Sequence, residues 1–303
     1  METKTKNHGH DAPRKKGGGP WRIVFVVALT VLIVSLCALA VIAYSYFQGQ
    51  QKYESIAEMS GLEDVTEQDD LRELSVDWEA LWAVNPDTVG WVYIPNTVIN
   101  YPIVQGDDNE YYLGRDFDGE EGWLADFGTV FLDYRNDSSW SDDSNFVYGH
   151  HLNDGSMFAA IGEMDSQDRF EQCRTVYLLT PERNYKLRGY SLVHCAGTEA
   201  IVKTEFDDAD DMTSYVQDKI DRSEFDPGDI PDASEIKKSI AFATCDNTYR
   251  STGRYVLFCY IVDDASVDLG GTVDIVVNDA GSADGFANDL SQEQTSSDAS
   301  SRD

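Results

Sequence analysis

The sequence predicts a mainly β protein, an eight-stranded barrel that is closed or nearly closed. Eight short runs rich in Val, Ile, Tyr and Phe are bounded by Pro, Gly, Asn and Asp, the pattern of strands joined by turns. Few helical patterns interrupt them, and many strands with few long helices favour a barrel. The predicted strands are residues 89–94, 99–104, 128–132, 145–149, 175–180, 184–196, 240–244 and 254–262.

Three helices accompany these strands. Trp78, Leu81 and Trp82 share one helical face within residues 75–84, which places an N-terminal helix against the barrel. A second helix is predicted over residues 156–164. The third, residues 208–221, has an apolar stripe and lies before the last strand pair.

A membrane-spanning helix is predicted near the N-terminus. Residues 23–47 are 25 residues without a charged side chain. At about 1.5 Å per residue such a helix crosses a hydrocarbon core of about 30 Å. Basic residues precede it and an acidic region follows, so the positive-inside rule predicts a single-pass protein with residues 1–22 in the cytoplasm and the rest outside the cell. A signal peptide cleaved near residues 38–40 is the alternative, although the apolar run is longer than such a signal needs.

The remaining segments follow from composition. Residues 48–74 are polar and mostly acidic and are predicted to be a stalk. Residues 75–262 form the folded domain. Residues 263–303 hold one more candidate strand at 272–277, but they are mostly Ser, Asp, Gly and Gln and predict a disordered acidic tail. The net charge of −32 argues strongly against a nucleic-acid partner, since phosphate binding needs clustered Lys and Arg.

Five cysteines bear on the chemistry. Cys37 lies in the predicted span, and Cys195 and Cys259 lie within strands. Each of the three is expected to pack as a small apolar side chain. Cys173 could pair with one of those two, which the sequence leaves open. No CxxC spacing occurs, so a zinc cluster is not expected. Cys245 differs because it ends a strand immediately before a polar loop.

A thiol acts as a nucleophile only with a proton acceptor and a partner that stabilises negative charge. His150 and His151 follow a predicted strand and supply the candidate acceptor, and pattern alone does not choose between them. Arg254 opens the next strand and is the candidate for the charge-stabilising partner, with Arg250 in the loop as its competitor. His194 lies mid-strand and is predicted to be a packed residue.

Seven segments follow one another in order along the chain: NPDTVGWVYIP (85–95), YPIVQGDDNEYYL (101–113), GTVFLDYRN (128–136), NFVYGHH (145–151), DGSMF (154–158), ATCD (243–246) and GRYVL (253–257). With these segments, residues 75–262 resemble the sortases, cysteine transpeptidases of Gram-positive bacteria, and among them class B.

The resemblance implies a role for each candidate residue. Cys245 matches the nucleophile, His150 the general acid and base, and Arg254 the arginine that steadies the substrate carbonyl and oxyanion. Asp246 is a possible orienter of the histidine. Ala243 and Thr244 match positions that line the family's substrate groove.

The implied reaction cleaves a sorting signal, LPXTG-like or NPQTN-like, near the C-terminus of a secreted protein. The Thr acyl group then passes to an amine of a peptidoglycan precursor. The resemblance implies no metal and no organic cofactor. The family's usual run Thr-Leu-Ser-Thr-Cys is altered here, with Ala241 and Ala243 in place of two hydroxyl residues. Three alternatives stay open: a sortase that polymerises pilins through a lysine amine, a thiol hydrolase, and a non-catalytic membrane-anchored binding module.

Overall fold

The structure is a computed structural model that describes residues 19–60, 62, 65, 70–120, 128–245 and 253–267. The side chains of Met59 and Cys245 lie outside this description. The described residues all belong to one compact unit, residues 1–267. The strand predicted at residues 272–277, and the tail from residue 268 onward, lie outside the described residues and stay predictions.

Eight strands form a closed barrel, which confirms the predicted fold class. In chain order they are β1 (Thr88–Tyr93), β2 (Asn100–Val104), β3 (Val130–Leu132), β4 (Ser144–His150), β5 (Thr175–Leu179), β6 (Arg183–Ala196), β7 (Ser239–Cys245) and β8 (Gly253–Ser266). Around the barrel the order is β1-β2-β3-β4-β7-β8-β6-β5, and β5 pairs with β1 to close it. Neighbouring strands are antiparallel except for two parallel pairs, β2 with β3 and β4 with β7.

Five α-helices lie within the described residues. They are α1 (Pro20–Ala57), α2 (Trp78–Val84), α3 (Ala159–Gly162), α4 (Gln167–Cys173) and α5 (Ala209–Asp221). The predicted helix before the last strand pair is α5. Asp208 caps its first turn by accepting hydrogen bonds from the backbone N–H groups of Asp210 and Asp211.

The second predicted helix is shorter than expected, and one helix was not predicted. Only Ala159–Gly162 of residues 156–164 is α-helical. Helix α4 begins behind Ser166, whose hydroxyl accepts from the backbone N–H of Arg169. Its polar sequence carries a cap but little apolar periodicity, which explains why the pattern missed it.

Helix α1 contains the predicted span and extends past it. It is long and apolar enough to cross a membrane, and none of its apolar window is buried inside the protein, so it is a candidate membrane span. Its last turns are different. Tyr53 and Ile56 are buried in the core cluster, as are Leu62, Leu71 and Leu74 beyond the helix. Parts of residues 48–74 thus pack on the barrel, a difference from the predicted stalk.

Strand β8 is longer than predicted because its far end pairs with the start of β6. Arg183 lies opposite Ser266, and Arg183 also forms an ion pair with Asp264. The sequence after Val262 is polar and acidic, so composition alone assigned it to the tail. The pairing extends the folded domain to Ser266.

Candidate active site

His150 and Cys245 lie side by side at the ends of two neighbouring strands. Strands β4 and β7 run parallel and pair over their whole length, from Ser144 opposite Ser239 to His150 opposite Cys245. Adjacent strands are about 4.8 Å apart. The backbone of Cys245 therefore lies one strand spacing from the backbone of His150, although 95 positions separate them in the chain.

Arg254 lies at the same end of the barrel, near the start of β8. The pairing of β7 with β8 is antiparallel and reaches Ala243 opposite Val256. Continued by two residues along both strands, this register brings Arg254 to the level of Cys245. On its other side Arg254 pairs with Cys195 of β6. Three adjacent strands thus bring the three predicted site residues to one rim.

The imidazole of His150 is enclosed by backbone. His150 is only 2% exposed, and its Nε2 lies 2.5 Å from the carbonyl oxygen of Leu113. Because a carbonyl only accepts hydrogen bonds, Nε2 carries the proton of this bond. Nδ1 is then the nitrogen at which the neutral ring can gain a proton and the charged ring can lose one.

Gly128 forms a second wall of this enclosure. It has φ of 59°, a left-handed conformation that favours glycine, and a Cβ at this position would collide with Cδ2 and Nε2 of His150. The sequence pattern predicted strands at residues 99–104 and 128–132, and the resemblance covered segments 101–113 and 128–136. Their contact with His150 was missed because nothing in their residue types indicates it.

Tyr148 lies two residues before His150 on β4 and is anchored to the buried Asp133. The Tyr148 hydroxyl donates to Asp133 at 2.8 Å, and Arg135 adds an ion pair at 2.8 Å. Burial raises the pKa of the Asp133 carboxyl, but hydrogen bonds from Arg135, Tyr148 and Asn109 outweigh burial and hold that pKa below its usual range. Asp133 is therefore a buried carboxylate that stays charged and holds the hydroxyl of Tyr148 on β4.

Helix α5 packs on the face of β8 that carries Arg254. Tyr215 meets Phe258 edge to face, with ring centroids 6.3 Å apart. Phe258 lies four residues after Arg254 on the same strand and so on the same face. The ammonium of Lys219, on the next turn of α5, lies 4.5 Å from the Tyr215 ring centroid. Helix α5 therefore lies beside the end of the barrel that carries Arg254.

The two predicted groove residues differ in position. Ala243 pairs with Tyr148 on one side and with Val256 on the other. Thr244 is the next residue along β7 and so projects to the other face. Its hydroxyl accepts a hydrogen bond from the backbone N–H of Tyr255 at 3.0 Å, which ties β7 to β8.

The other histidines lie in other environments. His151 forms an isolated bridge with Met157. His194 was predicted to be packed, but its side chain is 42% exposed. It stacks on Tyr255 with ring centroids 4.3 Å apart, and its Nδ1 lies 3.7 Å from Glu224. The reason is its place near the end of β6, where its face of the strand is open to solvent.

The buried cysteines are free thiols. Cys173, Cys195 and Cys259 are all buried and unpaired in the structure, so the pairing left open for Cys173 is absent. Burial raises the pKa of the Cys195 and Cys259 thiols, which keeps both protonated. Asp246 and Arg250 lie outside the described residues. Among the described residues no group of three or more His, Cys, Asp or Glu side chains could hold a metal ion.

Similarity to known proteins agrees with this geometry. No protein-family model matches the chain. Sortase B of Listeria monocytogenes is 31% identical over 183 residues, which are 59% of this chain and 68% of that protein. Sortase B of Staphylococcus aureus is 23% identical over 239 residues, 78% of this chain and 95% of that protein.

Solved structures show the same architecture. The crystal structure of sortase B from Bacillus anthracis in complex with AAEK1 superposes with a TM-score of 0.61 at 28% identity. It covers 72% of this chain and 98% of that one. A Staphylococcus aureus sortase B–substrate complex has a TM-score of 0.63 at 24% identity, covers 72% of this chain and 98% of that one, and supports the fold alone.

The barrel, with its histidine and cysteine strand ends in register, is that of a sortase-type transpeptidase. The chain belongs to the sortase B family.

Proposed function

We propose that this chain is a membrane-anchored cysteine transpeptidase in which Cys245 is the nucleophile, His150 the general acid and base, and Arg254 the group that stabilises the oxyanion. The substrate is the sorting signal of a secreted protein, LPXTG-like or NPQTN-like. The acceptor is an amine of a peptidoglycan precursor. The candidate membrane span supports anchoring of the chain. The basic residues before it support an N-terminus in the cytoplasm and a barrel outside the cell.

The observation that carries the proposal is the register of β4 with β7, which pairs His150 with Cys245. Proton transfer between two side chains requires that they approach within hydrogen-bond reach, and adjacent strands about 4.8 Å apart make that possible. Because Nε2 holds its proton against the Leu113 carbonyl, we assign the proton transfer to Nδ1.

The proposed reaction has two halves. The thiolate of Cys245 attacks the Thr carbonyl carbon, and Arg254 stabilises the negative charge on the oxygen. The peptide C–N bond then breaks, and His150 gives its proton to the leaving amine. The Thr acyl group stays on Cys245 as a thioester. In the second half the acceptor amine attacks the thioester, His150 takes up its proton, and the thiolate of Cys245 leaves.

The experiment is a product analysis with the full chain in detergent. The protein is incubated with a panel of LPXTG-like and NPQTN-like peptides, with and without triglycine, and the products are identified by liquid chromatography and mass spectrometry. We expect a cleaved peptide joined to triglycine. Cys245→Ala abolishes this product, whereas Cys37→Ala, which removes a thiol from the candidate span, leaves it unchanged. A Cys245→Ala protein that still forms the product would contradict the proposal.

The same assay separates the alternatives. Transfer to a lysine-containing pilin peptide in preference to triglycine favours a pilin polymerase. Cleavage that is unaffected by any amine favours a hydrolase. A folded, reduced protein that forms neither a cleaved peptide nor an acyl adduct across the panel favours the non-catalytic module.

A further inference from the structure

The enclosure of His150 has a second layer, which comes from the end of helix α1. We define the cradle as residues 112–116 and 128–129, the two backbone segments that face the imidazole. They are tied to each other through Thr129. Its backbone N–H donates to the Tyr112 carbonyl at 3.2 Å, and its hydroxyl donates to the Arg115 carbonyl at 2.8 Å. Leu113 and Gly128 therefore hold fixed positions at the Nε2 edge of the ring.

Helix α1 contacts both segments of the cradle from outside. The hydroxyl of Tyr53 donates a hydrogen bond to the carbonyl oxygen of Gly128. One residue earlier, the ammonium of Lys52 lies 3.2 Å from Asp116, in the other segment, and 2.6 Å from Asp118 beyond it. Two consecutive side chains of one helix thus bridge the two halves of the cradle.

The docking of this helix end is a packed contact. Tyr53 is 6% exposed, and its ring meets Tyr101 edge to face with centroids 5.7 Å apart. Ile56, one turn further on, is buried in the same core cluster. The same continuous helix contains the candidate membrane span. The segment that leaves the membrane is therefore the segment that touches the walls around His150.

We infer that the end of the anchor helix is a positioning element for the reaction: Tyr53 and Lys52 hold the cradle so that Leu113 and Gly128 fix the tautomer and orientation of the His150 imidazole. This inference rests on the proposed function of His150. A histidine that transfers protons must be held close to its working geometry, since small displacements of a catalytic group are costly. Gly128 has no side chain to anchor it, and the Tyr53 hydroxyl supplies a fixed partner for its carbonyl.

The test compares single-residue variants of the full chain in detergent. Tyr53→Phe keeps the ring on Tyr101 and removes only the hydroxyl. Ser55→Ala is the matched control, because it removes a hydroxyl from the same turn on the exposed side, where Ser55 donates to the backbone carbonyl of Lys52 rather than to the cradle. We expect Tyr53→Phe to lower kcat by about threefold to tenfold, because the Gly128 carbonyl loses the partner that fixes it beside His150, with KM for the peptide unchanged. Ser55→Ala retains the wild-type values.

A spectroscopic signature accompanies the kinetics. The Nε2 proton of His150, held against a carbonyl and away from water, gives a slowly exchanging imidazole resonance that is assigned by its loss in His150→Gln. We expect Tyr53→Phe to shift or broaden this resonance, whereas Ser55→Ala leaves it in place. Lys52→Met repeats the kinetic effect through the other segment, and Lys52→Arg, which preserves a cation, restores most of the wild-type kcat.

The outcomes separate the inference from the function on which it rests. If Cys245→Ala and His150→Ala keep wild-type activity, the proposed function fails. If both are inactive while Tyr53→Phe and Lys52→Met match Ser55→Ala in kcat and in the His150 resonance, the positioning role is overturned. If Tyr53→Phe does not fold, Lys52→Met against Lys52→Arg decides the question alone.

Discussion

Two histidines lie near the same end of the barrel, in regions of opposite character. At the end of β4, His150 is 2% exposed, bonded to the Leu113 carbonyl, and pressed against Gly128. Near the end of β6, His194 is 42% exposed and rests on the flat face of Tyr255. The His150 ring is bounded by the backbone of Leu113 and Gly128. The His194 ring is stacked on Tyr255 and exposed to solvent. Residue type and strand position alone therefore do not distinguish an acid–base group from a surface histidine.

The largest difference is expected from removing each imidazole. His150→Ala should lower kcat/KM for peptide transfer by about 10²- to 10⁴-fold, the range for loss of a general acid and base. His194→Ala should stay within about twofold of wild type, because its contacts are exposed. Steady-state kinetics on the two variants measure both effects. Equal losses of kcat/KM in the two variants would contradict the assignment of the acid–base role to His150 alone.

The next effect concerns the glycine beside each ring. Gly128→Ala forces a side chain into a positive-φ residue, which costs about 1–2 kcal/mol, and pushes against His150. We expect a lower unfolding free energy in urea and a loss of kcat of about tenfold to hundredfold.

Gly253→Ala is the matched change, since its Cβ would meet the ring of His194. That ring is exposed and can rotate away, so unfolding free energy should change by about 0.5 kcal/mol or less. A Gly253→Ala variant as damaged as Gly128→Ala would show that burial of the ring is not what separates the two sites.

The third comparison is between the buried carboxylate bonded to Tyr148 and the exposed carboxylate beside His194, and its effect is on stability and depends on pH. The folded-state pKa of Asp133 is depressed, so its charged form stabilises the fold above the unfolded pKa of about 3.9. That contribution is lost as pH falls through the lower, folded-state pKa. Asp133→Asn should therefore cost about 1–3 kcal/mol at pH 7 and progressively less in acid.

Glu224→Gln is the control for this measurement, because Glu224 is an exposed partner 3.7 Å from His194. Exposed pairs of this kind contribute about 0–1 kcal/mol. Urea unfolding of both variants from pH 7 to pH 3 gives the two curves. An Asp133→Asn curve parallel to that of the wild type would contradict a depressed pKa.

Sequence alone predicted the barrel because its signals are local. Runs of β-branched and aromatic residues mark the strands, and Pro, Gly, Asn and Asp mark their ends, as at Asn85 and Pro86 before β1. The parallel pairing of β4 with β7 is not local. It joins residues almost a hundred positions apart, and its register follows from packing in the closed barrel.

The packing of α1 on the barrel was missed for a related reason. Tyr53, Ile56 and Leu62 are isolated apolar residues in a polar stretch, and composition alone assigned that stretch to a stalk. The three become a buried set only because the helix continues past the apolar span and meets β2. The resemblance indicated His150, Cys245 and Arg254, but the walls around His150 are backbone groups, which leave no mark in residue type.

The measurement that tests the central claim most directly is the intact mass of the full chain after mixing with a sorting-signal peptide in the absence of an amine. We expect an acyl adduct that proteolysis maps to Cys245, that triglycine removes, and that fails to accumulate in His150→Ala. An adduct on another residue, or an adduct at Cys245 that forms equally fast without the imidazole of His150, would contradict the pairing of these two residues as the working unit of the site.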